Sequence, residues 1–493
     1  MDRVGFTEQT AATLERVPRL WNYIAYGMGD FLGGGSFNLI GTMYLFFMTS
    51  VMGMAPVFAG LLVFLGKLWG AIFDPLMGYL SDRTRSRHGR RRIFFLYGML
   101  PVLIFFSALW IPSPFHGQWG MFFWYLVLFL LFSTTYTMIM VPYVALNAEI
   151  SLDYKVRARF TGFKQISAGF SSAVCLIAAK PIIELFPQEQ TGYAVMGLAY
   201  GLFFALPWLA IFYGTWELPR KLDEVKRQSF GEILANFYSV FKNRSFRIHV
   251  GIFVSAFAGM DFVMALFLFY LTYYAGREDL FPFLMIFFVA AQAVSLPVYI
   301  KIGNVYSKGR ALFVGTVVWL TGLLVVLTVS PDRLSLPLLV LGTILLGSGI
   351  CGGTTMPWVM LPSIADVDEL ITGQKRAGTY AGMMTLFRKI VSASVIFITG
   401  AVLSAIGFVE GAASQPPQTV AFLRILFFAA PFIAVSIALF MSLKFKITPQ
   451  NHQMLRNEID RLEKGGDREE CDAETRRICE MVTGIPYRDL YRS

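Results

Sequence analysis

The stretch from Lys67 to Arg92, KLWGAIFDPLMGYLSDRTRSRHGRRR, puts a carboxylate, Asp74, inside an apolar run and six arginines directly after it. The run from about Pro56 to Leu80 is long enough to cross a bilayer, which needs ~20 apolar residues. Arginines 83, 85, 87, 90, 91 and 92 hold that end of the helix on the cytoplasmic side. An ionisable group within such a span marks a functional position by default.

The rest of the chain repeats this pattern. Its 493 residues are 56% hydrophobic and 16% aromatic, with 15% charged, more apolar than the roughly 45–50% of an ordinary soluble protein. Apolar windows predict twelve spans, near 22–49, 56–80, 93–112, 119–146, 160–184, 193–216, 246–275, 280–302, 311–330, 336–361, 379–408 and 420–443. The net charge of +10 does not point to nucleic acid, because the basic residues alternate by loop. Arg83 to Arg92, Lys155 to Arg159, Arg220 to Arg247, Lys308 with Arg310 and Lys375 with Arg376 fall on one side; only Arg277 and Arg333 fall on the other. This is the positive-inside pattern, with both termini cytoplasmic and the chain multi-pass in a cell membrane, bacterial inner or plasma. The first residues carry Asp2, Glu8 and Glu15 and do not read as a cleavable signal peptide. Cys175, Cys351, Cys471 and Cys479 match no zinc spacing and are expected as free thiols, and no metal site is expected. The sequon at Asn243 falls in an inside loop.

The polar interruption from Glu217 to Arg247 divides six spans from six. The expected organisation is a cytoplasmic segment 1–19, a six-helix bundle 20–216, a linker 217–245 with a surface amphipathic stretch GEILANFYSVF, a second bundle 246–445, and a tail 446–493. Pro142-Tyr-Val-Ala145 with Glu149 recurs as Pro362-Ser-Ile-Ala365 with Glu369, and Lys164-Gln-Ile-Ser167-Ala168 recurs as Lys389-Ile-Val-Ser392-Ala393. Parallel repeats of this kind imply two bundles related by an axis along the membrane normal, with a substrate site between them at mid-depth and alternating access as the mechanism.

Several charges lie within or near the spans. Asp30, in Ala25-Tyr-Gly-Met-Gly-Asp30-Phe31, is read as a substrate or cation ligand beside glycines that permit close helix approach. Asp261, in Ala256-Phe-Ala-Gly-Met-Asp261, echoes it. Lys164 and Lys389 are the natural counter-charges, although Lys164 is close enough to the headgroups to snorkel. Asp82 with Arg90 and Arg91, and Glu149, Asp366, Asp368 and Glu369 beside basic loops, are expected to form cytoplasmic gate salt bridges.

Together Gly27-Met-Gly-Asp30-Phe31, Trp69-Gly-Ala-Ile-Phe-Asp74-Pro75-Leu-Met-Gly78, Thr84-Arg-Ser-Arg-His-Gly89-Arg, Met360-Leu-Pro362 and Thr372-Gly373 resemble the glycoside-pentoside-hexuronide:cation symporters of the major facilitator superfamily, over about residues 19 to 460. The resemblance implies an all-α fold of twelve transmembrane helices in two pseudo-symmetric six-helix bundles. In sodium-coupled members two aspartates and an asparagine on span two join a span-four threonine at the cation site. This chain keeps Asp74 and Thr137 but has Gly70 and Phe73 at the other two positions. A hard cation wants several oxygen ligands, so the expectation is proton coupling, or uncoupled transport, over sodium. Asp30 matches the family's sugar-binding aspartate, and Lys164 and Lys389 match its basic residues. Met140 and Val144 stand where the family has an aspartate and a tryptophan, so a disaccharide is disfavoured.

The leading expectation is therefore a monomeric secondary transporter of a small polar solute such as a sugar or glycoside, with no cofactor. A lysophospholipid or other amphiphile carrier of the same fold is the alternative. A sensor or scaffold acting through the tail from Thr448, read as a solvated helix pair, is a third class. A membrane enzyme is disfavoured, since no nucleophile-base set appears.

Overall fold

In the computed structural model the described residues are 17–151, 153–218, 238–329, 335–374 and 376–491. The amphipathic linker stretch up to residue 237, the linker's basic residues 220–227, Arg333 and Lys375 lie outside them.

Twelve apolar helices follow one another among the described residues. α1 spans 20–51, α2 Pro56–Arg83, α3 Arg92–Ala108, α4 Gln118–Glu149, α5 Tyr154–Glu184 and α6 Glu189–Gly214. The second half runs through α7 Arg244–Tyr274, α8 Phe281–Val305, α9 Lys308–Leu327, α10 Leu336–Thr372, α11 Ala377–Ala405 and α12 Pro417–Lys444. Ten of these are long and apolar enough to cross a membrane as single helices. The other two account for the difference from the twelve spans expected. α3 has 17 residues, and α1 is interrupted by wider, π-type turns at Leu32–Ser36, Ile40–Tyr44 and Phe47–Val51. Such turns concentrate at functional sites. In α1 they coincide with glycines at 33, 34, 35 and 41, which hold a helix weakly.

Backbone proximity explains one of those glycines. A Cβ at Gly34 would fall 2.6 Å from the carbonyl oxygen of Ala168 in α5, so only a residue without a side chain lets α1 lie against α5. Asn38 continues the seam by donating to Ser172 Oγ at 2.7 Å.

The two halves pack alike. In the first, α1 contacts α5 and α6, α2 contacts α4, and α3 contacts α4 and α6; in the second, α7 contacts α11 and α12, α8 contacts α10, and α9 contacts α10 and α12. Each contact recurs six helices later. Between the halves α2 meets α11, α5 meets α8 and α1 meets α7, pairs that exchange under a two-fold operation along the membrane normal.

Two further helices, α13 (Pro449–Glu463) and α14 (Ala473–Thr483), form the tail. Each starts at a side-chain cap, Thr448 accepting from the Asn451 amide and Asp472 from the Thr475 amide. The expected solvated pair is corrected here. Leu455, Ile459 and Leu462 on α13, and Ile478, Cys479 and Val482 on α14, are buried against the cytoplasmic ends of α7 and α10. The apolar stripe at i, i+4, i+7 on α13 is hidden in a helix whose other positions are mostly polar or charged. Ser245 Oγ donates to the Val482 carbonyl at 2.6 Å and the Tyr491 amide to the Leu370 carbonyl at 2.8 Å. All four cysteines are free. Asn243 is fully buried, capping α7 through the Phe246 amide.

Glu458 ties the tail together, accepting from Arg461 at 2.8 and 2.9 Å and from the Tyr487 hydroxyl. Burial would raise its carboxyl, but the Arg461 guanidinium and the Tyr487 hydroxyl outweigh burial and hold it below the usual carboxylate range. A depressed carboxyl contributes stability that is present above its unfolded-state value and lost as pH falls through the folded one. Two outcomes are expected. Glu458→Ala should loosen the tail by about 1–3 kcal/mol, read as faster protease cutting near 464–472 with the membrane part intact. Gly34→Val should lower the melting temperature of the detergent-solubilised protein, because the clash is with backbone and overpacking costs about 1–3 kcal/mol or more.

Candidate substrate and cation site

Asp74 lies on the face of α2 that meets both α4 and α11. Thr137 Oγ1 of α4 donates to Asp74 Oδ1 at 2.9 Å, and Lys389 Nζ of α11 forms an ion pair with Asp74 Oδ2. Both carboxylate oxygens thus take donors from the protein. A Cβ at Gly70, one turn earlier, would fall 2.6 Å from Ser133 Oγ, so a side chain there would have to displace that hydroxyl. Phe73 instead stacks on Trp69, with ring centroids 6.1 Å apart. Asp74 is therefore flanked by packing at positions 70 and 73 on one side and by an ammonium on the other.

Asp30, 7% exposed, sits in the first half beside Tyr143 and Met140. Lys164 is the cation whose field acts on it, and its Nζ stands 5.5 Å above the Tyr143 ring. Tyr26 and Tyr143 stack at 4.7 Å and donate to each other's backbone carbonyls at 3.3 and 2.8 Å, which locks α1 to α4 next to the carboxylate. Met140 is buried, whereas Val144, a turn further along, is exposed.

Between the halves lies a cavity of about 620 Å³, lined from α1, α5, α7, α8, α10 and α11. Asp261 and Arg388 are its charged lining residues, joined by a two-pronged ion pair at 2.6 and 2.9 Å. Asn38, Gln165, Gln292 and Thr355 add amides and a hydroxyl, and Phe37, Ile166, Phe170 and Met264 add apolar wall. Neither Asp30, Lys164, Met140 nor Val144 lines it. Arg388 is the residue sequence reasoning missed, although it precedes Lys389. Successive helical residues point ~100° apart, so Arg388 faces α7 while Lys389 faces α2. Lys67 was also missed as a site residue. It is 6% exposed and donates to Ser392 Oγ, one turn above Arg388, at 2.5 Å.

The bonds between the halves run from the extracellular rim to mid-membrane. Val57 N donates to Ser404 Oγ at 3.0 Å, Gly411 N donates to the Thr49 carbonyl at 2.9 Å, and Lys180 of α5 pairs with Glu278 before α8. Asp74–Lys389 is the innermost. The residues expected as a cytoplasmic gate pair within their own halves. Arg91 bridges Asp82 and Glu149, and Arg90 takes Glu149 at 2.7 Å rather than Asp82. In the second half Asp368 takes Arg376 of the adjoining loop at 2.7 Å. Asp366 and Glu369 take Arg456 of the tail at 3.2 and 3.3 Å, and His452 Nε2 lies 2.7 Å from Asp366. These bonds describe a molecule closed outside, with its cytoplasmic carboxylates held within each half.

Breaking the Asp74–Lys389 pair leaves one charge uncompensated and removes a tie across the halves. Asp74→Asn is expected to shift the population toward an outside-open state. The check is labelling of a cysteine placed at Asn38, in a background without the native cysteines, by a membrane-impermeant thiol reagent added outside.

A family model described as MFS/sugar transport protein matches residues 25–449. The symporter sll1374 of Synechocystis, itself uncharacterised, is 26% identical over 88% of this chain and 96% of its own length. A candidate sulfoquinovose importer of Escherichia coli is 24% identical, covering 89% of this chain and 93% of that protein. The sodium-dependent lysophosphatidylcholine symporter 1-A of Danio rerio is 22% identical over 92% and 91%. Among solved structures, the nucleoside transporter NupG superposes with a TM-score of 0.61 at 13% identity, covering 86% of this chain and 99% of NupG. An inward-facing bacterial homologue of the lysosomal transporter Spinster has a TM-score of 0.61 at 14% identity, over 87% and 98%. With a family match over most of its length and the two-bundle fold of these transporters, the chain belongs to the MFS/sugar transport protein family and is a multi-pass membrane transporter.

Proposed function

We propose that this protein carries a small polar solute of the sugar or glycoside kind across a cell membrane by alternating access, coupled to protons in preference to sodium. The observation that carries this reading is the cavity between the halves, sealed outside by cross-half bonds and lined by amides, hydroxyls and one ion pair. In this mechanism residues 20–216 rock as one body against 246–445, and the monomer is the working unit. Asp30 with Lys164, set behind the lining of the cavity in this closed state, holds a polar group from the first half only once the halves have rocked, and Asp74 is the coupling residue. When Asp74 is ionised it holds Lys389 across the seam, and when it takes a proton it releases that ammonium, so protonation alters the tie between the halves. Two occupied carboxylate oxygens and the lack of oxygen ligands at positions 70 and 73 support the proton over sodium.

The apolar wall supports a second reading, a lysophospholipid or similar amphiphile. Ile166 and Phe170 on α5 line the cavity and are 71% and 54% exposed, a surface suited to an acyl chain, and one relative is described as a lysophosphatidylcholine symporter.

Uptake into proteoliposomes tests both readings, using a panel of sugars, glycosides and lysophospholipids under a proton gradient, a sodium gradient or none. Accumulation of a sugar is expected with the proton gradient, and Asp74→Asn is expected to abolish accumulation while leaving exchange of solute across the membrane. Accumulation driven by sodium alone would overturn the coupling assignment. Uptake confined to lysophospholipids would establish the second reading.

A further inference from the structure

One carboxylate that the transport mechanism leaves unused, Glu217, sits where the first half fastens its cytoplasmic end. It follows α6 and opens the segment that joins the halves. Its Oε1 accepts from the amides of Arg91 and Arg92 and its Oε2 from that of Arg90, all at 2.9 Å. These amides begin α3, where a helix leaves backbone donors without carbonyl partners and its dipole favours an anion. The next residue, Leu218, donates its amide to the Glu149 carbonyl at 2.9 Å. The contact is reciprocal, because the Arg92 guanidinium donates to the Phe212 carbonyl in the last turn of α6 and lies 4.8 Å over the Phe212 ring. An acid after α6 caps the start of α3, and a cation of α3 caps the end of α6.

Gly89 makes room for the carboxylate. Its φ is +97°, which residues with side chains rarely adopt, and a Cβ there would fall 2.5 Å from Glu217 Oε1. With their backbones held in this way, Arg90 and Arg91 reach Glu149 at 2.7 and 3.0 Å. Arg91 also donates to Ser81 Oγ at 2.5 Å and pairs with Asp82. Arg91 and Glu149 are each 6% exposed, so a misplaced partner would leave a buried charge uncompensated. This lock ties the end of α2 to the end of α4, the two helices that share the Asp74–Thr137 bond at mid-membrane. In the second half the chain leaving α12 crosses the start of α9 in the same way, but Phe445 lies there. A Cβ on Gly309 would fall 3.6 Å from Phe445 Cδ1, and the Ser307 hydroxyl caps the helix by accepting from the Arg310 amide at 3.1 Å. The carboxylate seat is thus a feature of the half whose exit chain leads to the other half.

We infer that Glu217 is the positioning residue of the first half's cytoplasmic lock: its carboxylate fixes the start of α3 so that Arg90 and Arg91 reach Glu149 and hold α2 to α4. The inference concerns how the first half moves as one body and is independent of the solute carried.

Two readouts on the purified full chain in nanodiscs test it. Hydrogen–deuterium exchange follows the α3 amides, and the distance distribution between spin labels at Arg87 and Arg159, both exposed, follows the loop against α5 in a background without the native cysteines. Glu217→Ala should speed exchange of the amides of residues 90 to 92 about tenfold or more, the scale of a lost charge-assisted hydrogen bond, and should broaden the distances. Sodium formate, which suits a vacated seat of three amides, should restore both better than sodium chloride at equal ionic strength. Gly89→Ala, which pushes the carboxylate off its seat without removing it, should give the same two changes with no response to formate. Glu217→Gln keeps one acceptor oxygen and should fall between. If Glu217→Ala does not reach the membrane, these last two variants carry the same readouts. In proteoliposomes the maximal uptake rate of a panel sugar should fall in Glu217→Ala while its half-saturation concentration holds, since Glu217 does not line the cavity. Unchanged exchange, fast exchange with unbroadened distances, failure of formate to restore Glu217→Ala, or a raised half-saturation concentration at an unchanged maximal rate overturns the inference. Lack of sugar uptake by the wild-type protein would sink the transport reading and leave the exchange and spin-label results to decide the role of Glu217.

Discussion

The ion pair between Asp74 of α2 and Lys389 of α11 is the contact on which the arrangement of the two halves turns. In hydrocarbon a lone carboxylate or ammonium is expensive, and a pair formed across an interface makes each half the condition for the other's charge. Thr137 completes the carboxylate's bonding from α4, so three helices converge on one side chain. Above this point the halves are joined as far as the extracellular rim by hydroxyl, backbone and ionic contacts, with Lys180–Glu278 at the outer end. A seam built of a few polar bonds between otherwise apolar bundles suits a transporter, because each bond can be exchanged for water or solute without unpacking a core.

The cytoplasmic face solves the same problem asymmetrically. Glu149 and Glu369 occupy equivalent places in the internal repeat, at the ends of α4 and α10. Glu149 is satisfied by Arg90 and Arg91 from the loop between α2 and α3, whose backbone amides are in turn held by Glu217 at 2.9 Å. Glu369 is satisfied by Arg456, which comes from the tail beyond the last span. The family match ends at residue 449, the first residue of α13. One half therefore carries its arginines in its own loop, and the other draws an arginine from a segment outside that match.

Close helix approach and charge placement are linked through the glycines. Gly34 brings α1 against α5, which sets Asn38 against Ser172 at the cavity and leaves Asp30 within the field of Lys164. Gly70 brings α2 against Ser133 of α4, whose hydroxyl occupies the place a side chain at position 70 would take beside Asp74. The same residue type that closes the packing thus also determines which charges remain.

Much of this was legible in the chain itself. Span lengths and the alternation of basic loops depend only on local hydropathy and on the cost of moving arginine through lipid, so twelve spans and their orientation follow from residue order. Asp30, Asp74, Asp261, Lys164 and Lys389 were identifiable as charges within or beside spans for the same reason. Their pairing was not, because the partners lie on helices more than a hundred residues apart and rotational phase decides which face meets which neighbour. Arg388 passed unnoticed beside Lys389, and Lys67 within the opening motif, since a position one residue away points to a different helix. The tail was misjudged because its apolar stripe is narrow and its charges are many, and only the surface left at the ends of α7 and α10 made docking favourable. Sequence alone determined that this is a two-fold repeated bundle of membrane helices with ionisable groups inside it; the tertiary structure decided which of those groups neutralise each other and which face the cavity, because burial and distance are properties of packing and not of order along the chain.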